Sequence, residues 1–553
     1  MGKKWCLIGL MWINLSYGVS LVGNIQFTHD AAFIDGDSQV QSRFGHTLLI
    51  RPGQYTTTNG QTTTEHVDGY LYIGIPNYSS DGLLENGAVS QIRLSPGKGP
   101  YADSSNVLYT QNSPNVADSE EDDDGFGYAL AAGRFGGSET AENFKWDLII
   151  AAPREQLSGD DNAGVVHNLY PELSDPEPFV LIHQDIDGIS ESVEAFDLFG
   201  FALVTGDFNG DNADDLAIGV PGESIGGDVA AGAVNIVMGD SQFNMNLARI
   251  ELSANNQQLF SQDTPSIPSG ANPGEQFGYS LATGDFNGDG IDDLAIGAPS
   301  DQVGGERAGS LHVLRGVETG VPNVNQNGLT NVASQIFNQD SGSIAGGSEE
   351  GDRFAYSLAA CDFDNDGNDD LAIGVPGERL NDQDMAGAVN ILYGTASDQA
   401  GNGGGLSDAR NIMIHQDTAG IAGLVEQGDE FGKALACGDL NADDFADLVI
   451  GIPNEDIGDL ENSGLVGIVY GSDSGLDLST YDDFDMSFLD EPGVVSAHTR
   501  FGAALTIGDA DLDGKNDLLI SSVVLNAAGP PDSVMVLFQD PDLIRRQNFE
   551  PRY

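Results

Sequence analysis

Basic residues are scarce in this chain of 553 residues, which has 21 lysines and arginines against 86 aspartates and glutamates, a formal net charge of -65. Nucleic acids and anionic membrane surfaces are bound through basic patches, so neither is expected as a partner. Acidity of this degree is typical of disordered chains. However, 40% of the residues are hydrophobic and fall in regularly spaced runs, which predicts a folded core.

Cysteine is also rare, with three residues in all. Cys6 lies in the N-terminal segment, while Cys361 and Cys437 lie beside equivalent loops of successive repeats. Such a small number excludes a disulfide framework, and we expect Cys361 and Cys437 to be buried free thiols rather than a bridge.

No apolar stretch is long enough to cross a bilayer, so no membrane span is expected. The run at 5–15 follows Lys3 and Lys4 and precedes small and polar residues, a pattern typical of a secretory signal peptide. We predict a signal peptide over 1–22, a single domain over 23–553, and a secreted, periplasmic or cell-surface location.

What the chain does have is a repeat with a spacing of 70 to 82 residues. Each copy contains four short segments with strand-like alternation, bounded by Gly, Asp or Pro, and none has sustained helical periodicity. This pattern predicts an all-β, seven-bladed β-propeller of four-stranded antiparallel blades. The segment at 23–30 resembles a strand without a blade, and we expect it to complete the last blade and close the ring. The copies begin near Phe44, Phe126, Phe199, Phe277, Phe354, Phe431 and Phe501.

Five copies carry a nine-residue aspartate loop between their first two strands. Asp or Asn at positions 1, 3, 5 and 9, with the backbone carbonyl at position 7, supplies the hard oxygen ligands that Ca²⁺ requires. The predicted ligands are Asp207, Asn209, Asp211, Ala213 and Asp215; Asp285, Asn287, Asp289, Ile291 and Asp293; Asp362, Asp364, Asp366, Asn368 and Asp370; Asp439, Asn441, Asp443, Phe445 and Asp447; and Asp509, Asp511, Asp513, Lys515 and Asp517.

The alternative is a set of metal-free turns, since Asp and Asn are ordinary turn residues. Five equal spacings of clustered carboxylates favour about five bound calcium ions, because such groups repel one another without a cation. The backbone must turn sharply at position 6 of each loop. The residues found at this position are of types that tolerate a positive φ angle. The first two copies have lost the loop. In the second, Arg134 replaces the first aspartate, and we expect it to pair with Asp147 in place of the metal.

The FG start, the aspartate loop and the GAP-like end, such as Gly297-Ala298-Pro299, resemble the FG-GAP repeat family, which includes the propeller of integrin α chains. The resemblance implies seven extracellular blades, calcium in hairpins on one face, and ligands or partner subunits on the opposite face. It implies the fold and the metal more directly than the function. The chain shows no inserted ligand-binding domain, leg domains or cytoplasmic tail, so integrin-type signalling is not implied.

Acidic residues recur two places after the proline of five copies, where they are either solvated turn charges or a shared rim for cationic or hydroxyl-rich ligands. These ligand-face candidates are Glu155, Glu223, Asp301, Glu378 and Glu455.

Two function classes remain open. One is a noncatalytic protein that binds an extracellular protein or glycan; the other is a propeller enzyme acting on polysaccharide or phosphate esters. The segment at 222–226 matches the G-x-S-x-G pattern but lacks the strand-turn-helix context of a nucleophile. The binding module is therefore favoured, with no catalytic residues.

Overall fold

Short apolar segments that end at glycine, proline or aspartate form antiparallel sheets in the computed structural model. The seven successive sheets are the blades of a β-propeller, which confirms the predicted fold class. The structure describes residues 11–12, 25–28, 43, 45–51, 54–55, 66–67, 69–79, 83–95, 99–101, 106–114, 116, 118–135, 146–169, 180–186, 189, 192–239, 257–318, 328–396, 404–421, 423–486, 497–523 and 532–537.

Each blade is named by its order in the chain, and its strands run outward from the centre. Two N-terminal strands come first, β1 (Met11–Trp12) and β2 (Ile25–Thr28). Blade 1 contains β3 (Leu48–Arg51), β6 (Tyr70–Ile75), β7 (Ala88–Ser95), β8 (Gly99–Tyr101) and β9 (Val107–Tyr109), beside a hairpin of β4 (Gln54–Tyr55) and β5 (His66–Val67). Blade 2 contains β10 (Leu130–Gly133), β11 (Asp147–Ala152), β12 (Val165–Leu169) and β13 (Val180–Ile182). Blade 3 contains β14 (Ala202–Gly206), β15 (Asp215–Val220), β16 (Ala233–Val237) and β17 (Gln258–Phe260).

The later blades repeat this order. Blade 4 contains β18 (Ser280–Gly284), β19 (Asp293–Ala298), β22 (Ser310–Arg315) and β23 (Thr330–Phe337), with a hairpin of β20 (Gln302–Val303) and β21 (Glu306–Arg307). Blade 5 contains β24 (Ser357–Cys361), β25 (Asp370–Val375), β26 (Ala388–Tyr393) and β27 (Ser407–Ile414). Blade 6 contains β28 (Ala434–Gly438), β29 (Asp447–Ile452), β30 (Leu465–Tyr470) and β31 (Asp477–Phe484). Blade 7 contains β32 (Phe501–Gly508), β33 (Asp517–Ser522) and β34 (Ser533–Leu537).

The N-terminal strand β2 is the fourth strand of blade 7. It pairs antiparallel with β34, and Ile25 lies opposite Val536. The expected closure of the ring is therefore confirmed. The short strand β1 pairs parallel with β2. The remaining residues of the predicted signal peptide lie outside the described residues, so the signal peptide stays a prediction.

Glycines of the repeat allow neighbouring blades to touch through their backbones. A Cβ on Gly219, near the end of the second strand of blade 3, would lie 2.1 Å from the carbonyl oxygen of Gly278 in blade 4. Gly278 itself has a φ of +88°, which favours glycine. The preceding Phe277 is fully buried in the hydrophobic cluster shared by blades 3 and 4. The FG start and the GAP-like end of the repeat therefore allow neighbouring blades to pack closely against each other.

Cys361 and Cys437 form a disulfide, so the expectation of free thiols is wrong. The first strands of consecutive blades lie side by side around the centre, and this brings Cα atoms 76 residues apart in sequence to 6.2 Å. The large separation of the two cysteines in sequence gives no indication that they are close in the fold. The bridge ties blade 5 to blade 6.

Within the part of the chain that the structure describes, no helix is long and apolar enough to cross a membrane.

Candidate cation sites and the opposite face

The aspartate loops are tight turns organised by their own carboxylates. In blade 4, Asp285 at position 1 accepts hydrogen bonds from the backbone N–H groups of Asp289 (3.0 Å) and Gly290 (2.7 Å). The same two bonds form in the other four loops. The φ angle at position 6 is positive in every loop, as expected, at Asn212, Gly290, Gly367, Asp444 and Gly514.

The carboxylate at position 9 begins the second strand and lies deepest in each loop. Asp293 accepts a hydrogen bond from the backbone N–H of Gly316 at 2.9 Å. Burial raises the pKa of Asp215 and Asp370 to about 8, and that of Asp293 and Asp447 to about 7. Nearby loop aspartates raise these pKa values further, because like charges disfavour ionisation. The loops therefore concentrate negative charge that a cation would relieve.

Oxygen atoms at position 3 fit a metal ligand. The Oδ1 atoms of Asn287, Asn441 and Asp364 are buried and have no hydrogen-bond partner. Leaving a buried acceptor unsatisfied costs about 1–3 kcal/mol, so three equivalent atoms in this state indicate a missing partner. In two of the loops, three carboxylates also have ligand atoms within 4.8 Å of one another: Asp362, Asp364 and Asp370, and Asp509, Asp511 and Asp517. The donor set consists of carboxylate and amide oxygens, which are the ligands of Ca²⁺.

In three of the five loops, a second aspartate links the loop to the preceding blade, a role that sequence reasoning missed. Asp292, at position 8 in blade 4, accepts a hydrogen bond from the backbone N–H of Asp207 in blade 3 at 2.8 Å. Asp369 does the same for Asp285 at 2.9 Å. The repeated Asp-Asp pair was the available signal, since only its second member was assigned to the metal. We call Asp214, Asp292 and Asp369 the staple aspartates.

In the two blades without a loop, an arginine stacks on an aromatic ring. The guanidinium of Arg134 lies 5.6 Å from the ring centre of Trp146, and its Nε lies 3.8 Å from Oδ2 of Asp214. Arg134 thus contacts the staple aspartate of blade 3, and its expected pairing with Asp147 stays a prediction. In blade 1, Arg51 lies 4.9 Å from the ring centre of Tyr70.

The five ligand-face candidates lie at the opposite ends of the second strands, and all are buried. Their exposed fractions run from 2% to 7%, so these side chains are neither solvated turn charges nor an open rim. Four of them accept a hydrogen bond from a glutamine at the end of an outer strand, for example Glu155 from Gln111 at 2.6 Å. Burial raises the pKa of Glu155 to about 10, that of Glu455 to about 8 and that of Glu378 to about 7.

Further acidic side chains lie near these carboxyl groups, at the junctions between blades. An acidic residue two places before the first phenylalanine of the repeat accepts a hydrogen bond from the backbone N–H three residues earlier. The pairs are Asp124 with Glu121, Asp197 with Glu194, Glu275 with Asn272, Asp352 with Glu349, and Asp429 with Glu426. Sequence reasoning missed this motif, although its constant distance from the FG start made it visible.

An arc of aromatic rings lies at the start of the first strands on this face. The rings of His46, Tyr128, Phe201, Tyr279 and Tyr356 follow one another from blade 1 to blade 5, with centroid separations of 4.7, 5.0, 4.8 and 5.2 Å. All five side chains are half-buried. This arc and the aspartate loops are on opposite faces of the ring.

Blade 4 departs from the pattern of buried acids. Ser310 Oγ donates a hydrogen bond to Asp301 and lies 3.1 Å from Nε2 of His312, which is itself 3.9 Å from Oδ2 of Asp301. Ser310 and His312 are completely buried, and Asp301 nearly so. The serine and histidine therefore satisfy a buried carboxylate and do not face a substrate.

Comparison with known proteins identifies the same repeats that form the blades of the propeller. The FG-GAP repeat profile matches residues 199–236, 277–314, 354–392 and 431–469. The chain contains FG-GAP repeats. The prediction of an FG-GAP, integrin α-like propeller is thereby confirmed.

Two kinds of relative are similar to this FG-GAP propeller. Phosphatidylinositol-glycan-specific phospholipase D of Rattus norvegicus is 31% identical over 186 residues, which are 34% of this chain and 20% of the relative. Integrin alpha-PS2 of Drosophila melanogaster is 30% identical over 278 residues, 48% of this chain and 16% of the relative. Integrin alpha-5 of Xenopus laevis is 29% identical over 282 residues, 50% of this chain and 22% of the relative. The matches thus span about a fifth of these relatives.

Proposed function

We propose that the protein is a secreted or cell-surface, noncatalytic FG-GAP propeller that binds an extracellular protein or glycan and is stabilised by calcium in its hairpin loops. The observation that carries the proposal is the pairing of five like aspartate loops on one face with an aromatic arc on the other. One face is suited to holding ions and the other to contacting a ligand.

Calcium would be held by the carboxylates at positions 1, 3, 5 and 9, the asparagine oxygens at position 3 and the carbonyl at position 7. Bound there, the ion neutralises the clustered charge and fixes the turn between the first two strands of a blade. The chain's own contribution is to preorganise the carboxylates, as Asp285 shows by accepting two backbone hydrogen bonds. Binding of this kind is folding free energy, because the unfolded chain lacks the site.

An extracellular location is supported by three independent features. The Cys361–Cys437 disulfide is typical of oxidising compartments. The segment at 1–22 has the pattern of a secretory signal. The integrin α relatives are cell-surface proteins.

Binding is favoured over catalysis by the accessible chemistry of the ligand face. Aromatic rings such as Tyr279 and Tyr356 offer apolar surface with a polar tip, which suits protein and sugar ligands. The serine and histidine of blade 4 are buried and cannot reach a substrate. The segment at 222–226 forms turns without a following helix, so Ser224 lacks the setting of a nucleophile.

The second candidate is an extracellular propeller enzyme acting on polysaccharide or phosphate esters. It is favoured by the phospholipase D name of the relative from Rattus norvegicus. The match covers only a fifth of that protein, so the likeness supports a shared propeller more directly than a shared activity.

The test is a binding screen of the purified chain in calcium against immobilised extracellular matrix proteins and an array of neutral and cationic oligosaccharides. We expect binding to at least one ligand, weakened about tenfold or more by Tyr279→Ala with Tyr356→Ala, because stacking surface is lost. Asp477→Ala, on the outer strand of blade 6, is the control and leaves binding unchanged. Ligand hydrolysis in the same mixtures would support the enzyme, and binding indifferent to the tyrosines would place the ligand elsewhere.

A further inference from the structure

The aromatic arc on the face opposite the aspartate loops covers only part of the ring. Its side chains occupy the third position of the repeat, counted from the first phenylalanine, in blades 1 to 5. The same position holds Lys433 in blade 6 and Ala503 in blade 7. The backbone N–H of Lys433 donates to the carbonyl of Glu430 at 3.1 Å, in the same turn that places Tyr356 in blade 5. The arc is therefore interrupted at blades 6 and 7, and a lysine occupies the first of the two places.

Three arginines lie at this interruption. Arg353, Arg500 and Arg43 directly precede the first phenylalanine of the repeat in blades 5, 7 and 1. The φ angle of the residue at this position is positive in all seven blades, so the three side chains begin at equivalent points of the ring. Together with Lys433 they are four of only 21 basic residues in the chain, and we call them the basic cluster. Positive charge is thus concentrated where the aromatic arc is missing.

One carboxylate contacts the basic cluster among the residues that the structure describes. Glu430 is 4% exposed, and its Oε1 lies 4.0 Å from Nη1 of Arg353. Its Oε2 contacts Nζ of Lys433. Within the same described residues, neither Arg43 nor Arg500 has an ion pair. Four cations against one carboxylate leave the cluster with a positive charge in a chain whose net charge is -65.

Arg500 shows most clearly that a negative partner is missing. Its side chain is half-buried, and its Nε is a buried donor without an acceptor. Burial lowers the pKa of Arg500, Glu430 opposes this change, and the positive charge of Arg43 lowers the pKa further. A guanidinium group nevertheless stays protonated at neutral pH. An anion bound here would supply both the acceptor and the counter-charge.

We propose that the basic cluster binds an acidic side chain on a loop of a protein partner, with Arg43 and Arg500 as its anchors. The inference rests on the proposed binding function and specifies the chemistry of the ligand. A guanidinium group suits a carboxylate because it donates two parallel hydrogen bonds to it. The neighbouring rings of Tyr356 and His46 offer contact to the apolar part of the same loop.

A protein loop fits this place better than an anionic polysaccharide. The net charge of -65 repels a polyanion at long range, whereas one carboxylate can enter the local positive field of the cluster. Neighbouring rings of the arc have their centres 4.7 to 5.2 Å apart, so the opening at the centre of the face is narrow. The tip of a protruding loop reaches into such an opening more readily than a stiff sugar chain.

The experiment captures peptides from a display library of disulfide-cyclised sequences on the full chain in calcium. We expect the captured peptides to be enriched in Asp and Glu, and replacement of that acid by its amide should weaken binding about tenfold. Arg43→Gln with Arg500→Gln should cause a similar loss. Arg43 is exposed, so Arg43→Gln alone tests the site with little risk to folding.

Charge reversal gives a readout that a merely structural role would not produce. Arg43→Glu should select peptides with Lys or Arg in place of the acid. Arg379→Gln is the matched control, because this arginine is also exposed but pairs with Asp382 and Asp384 in a loop of blade 5. It should leave the captured sequences unchanged.

Peptides without enrichment in acids, or capture unaffected by both arginine variants, would overturn the proposal. Capture that still depends on Tyr279 and Tyr356 would then leave the proposed binding function standing. A failure to capture any peptide would also overturn it. Binding of polygalacturonate through Arg43 and Arg500 in that case would identify an anionic glycan as the ligand instead of a protein loop.

Discussion

Blades 3 to 7 and blades 1 and 2 fix the same turn in different ways. Blades 3 to 7 place a ring of aspartate oxygens between their first two strands, whereas blades 1 and 2 place an arginine over an aromatic ring. Both arrangements join the end of one strand to the start of the next. Under the proposed function, this turn carries a bridging cation in every blade: a metal ion in blades 3 to 7, and a guanidinium where the aspartates are lost.

The link between neighbouring blades is independent of the metal loop. Blade 2 has no loop, yet the backbone N–H of Arg134 donates to Asp214 at 2.6 Å, just as that of Asp207 donates to Asp292. Blade 6 has the loop, but Ala446 takes the staple position, and the disulfide from blade 5 ties this junction instead. Ion binding and blade linkage are thus separable features.

The disulfide has the largest expected effect of a local change. Replacing Cys361 and Cys437 by serine should lower the free energy of unfolding by about 4 kcal/mol, since the bridge closes a loop of 76 residues at a junction without a staple aspartate. Denaturant unfolding of the variant and of the wild type, with and without reductant, measures this. If reductant destabilises the wild type no more than the variant, the bridge does not stabilise the junction.

Converting blade 4 into a blade without a metal sharpens the comparison directly. Asp293→Asn should abolish one calcium site and remove about 2.7 kcal/mol of calcium-dependent stability at a calcium concentration 100-fold over the dissociation constant. Asp147→Asn, at the same position in blade 2, is the control and should leave the calcium-dependent part unchanged. Unfolding of both variants in calcium and in chelator gives the comparison, and equal calcium dependence in the two would contradict it.

The staple aspartates should matter with or without metal. Asp369→Ala leaves the backbone N–H of Asp285 without its acceptor and should cost about 1–3 kcal/mol of unfolding free energy. Because this bond joins blades and does not hold the ion, most of the loss should persist in chelator. Asp459→Ala, at an exposed turn of blade 6, is the control for loss of one negative charge. A loss seen only in calcium would make Asp369 part of the ion site.

The arginine of blade 2 should have the smallest effect. Arg134→Gln removes the stacking on Trp146 and the contact with Asp214, but the side chain is 42% exposed, so we expect about 0.5–1 kcal/mol. The loss should be the same with calcium and with chelator. An unchanged free energy of unfolding under both conditions would show that Arg134 does not stand in for the metal.

The repeat made the fold predictable from sequence, because strand alternation and loop spacing are local properties. Ring closure by β2 was also readable, since a lone strand at one end matched a missing strand at the other. The Cys361–Cys437 bridge was missed, because the distance between blades around the ring cannot be read from one repeat. The burial of Glu155 and Glu223 was missed for the same reason, as their neighbours come from preceding segments of chain.

Thermal unfolding of the chain in calcium, in excess chelator, and with magnesium in place of calcium tests the central claim most directly. Each site held at 100-fold over its dissociation constant adds about 2.7 kcal/mol, so five hairpin sites should raise the melting temperature strongly. The account predicts a large shift that calcium restores and magnesium does not. Equal melting temperatures under all three conditions would contradict it and leave the aspartate loops as metal-free turns.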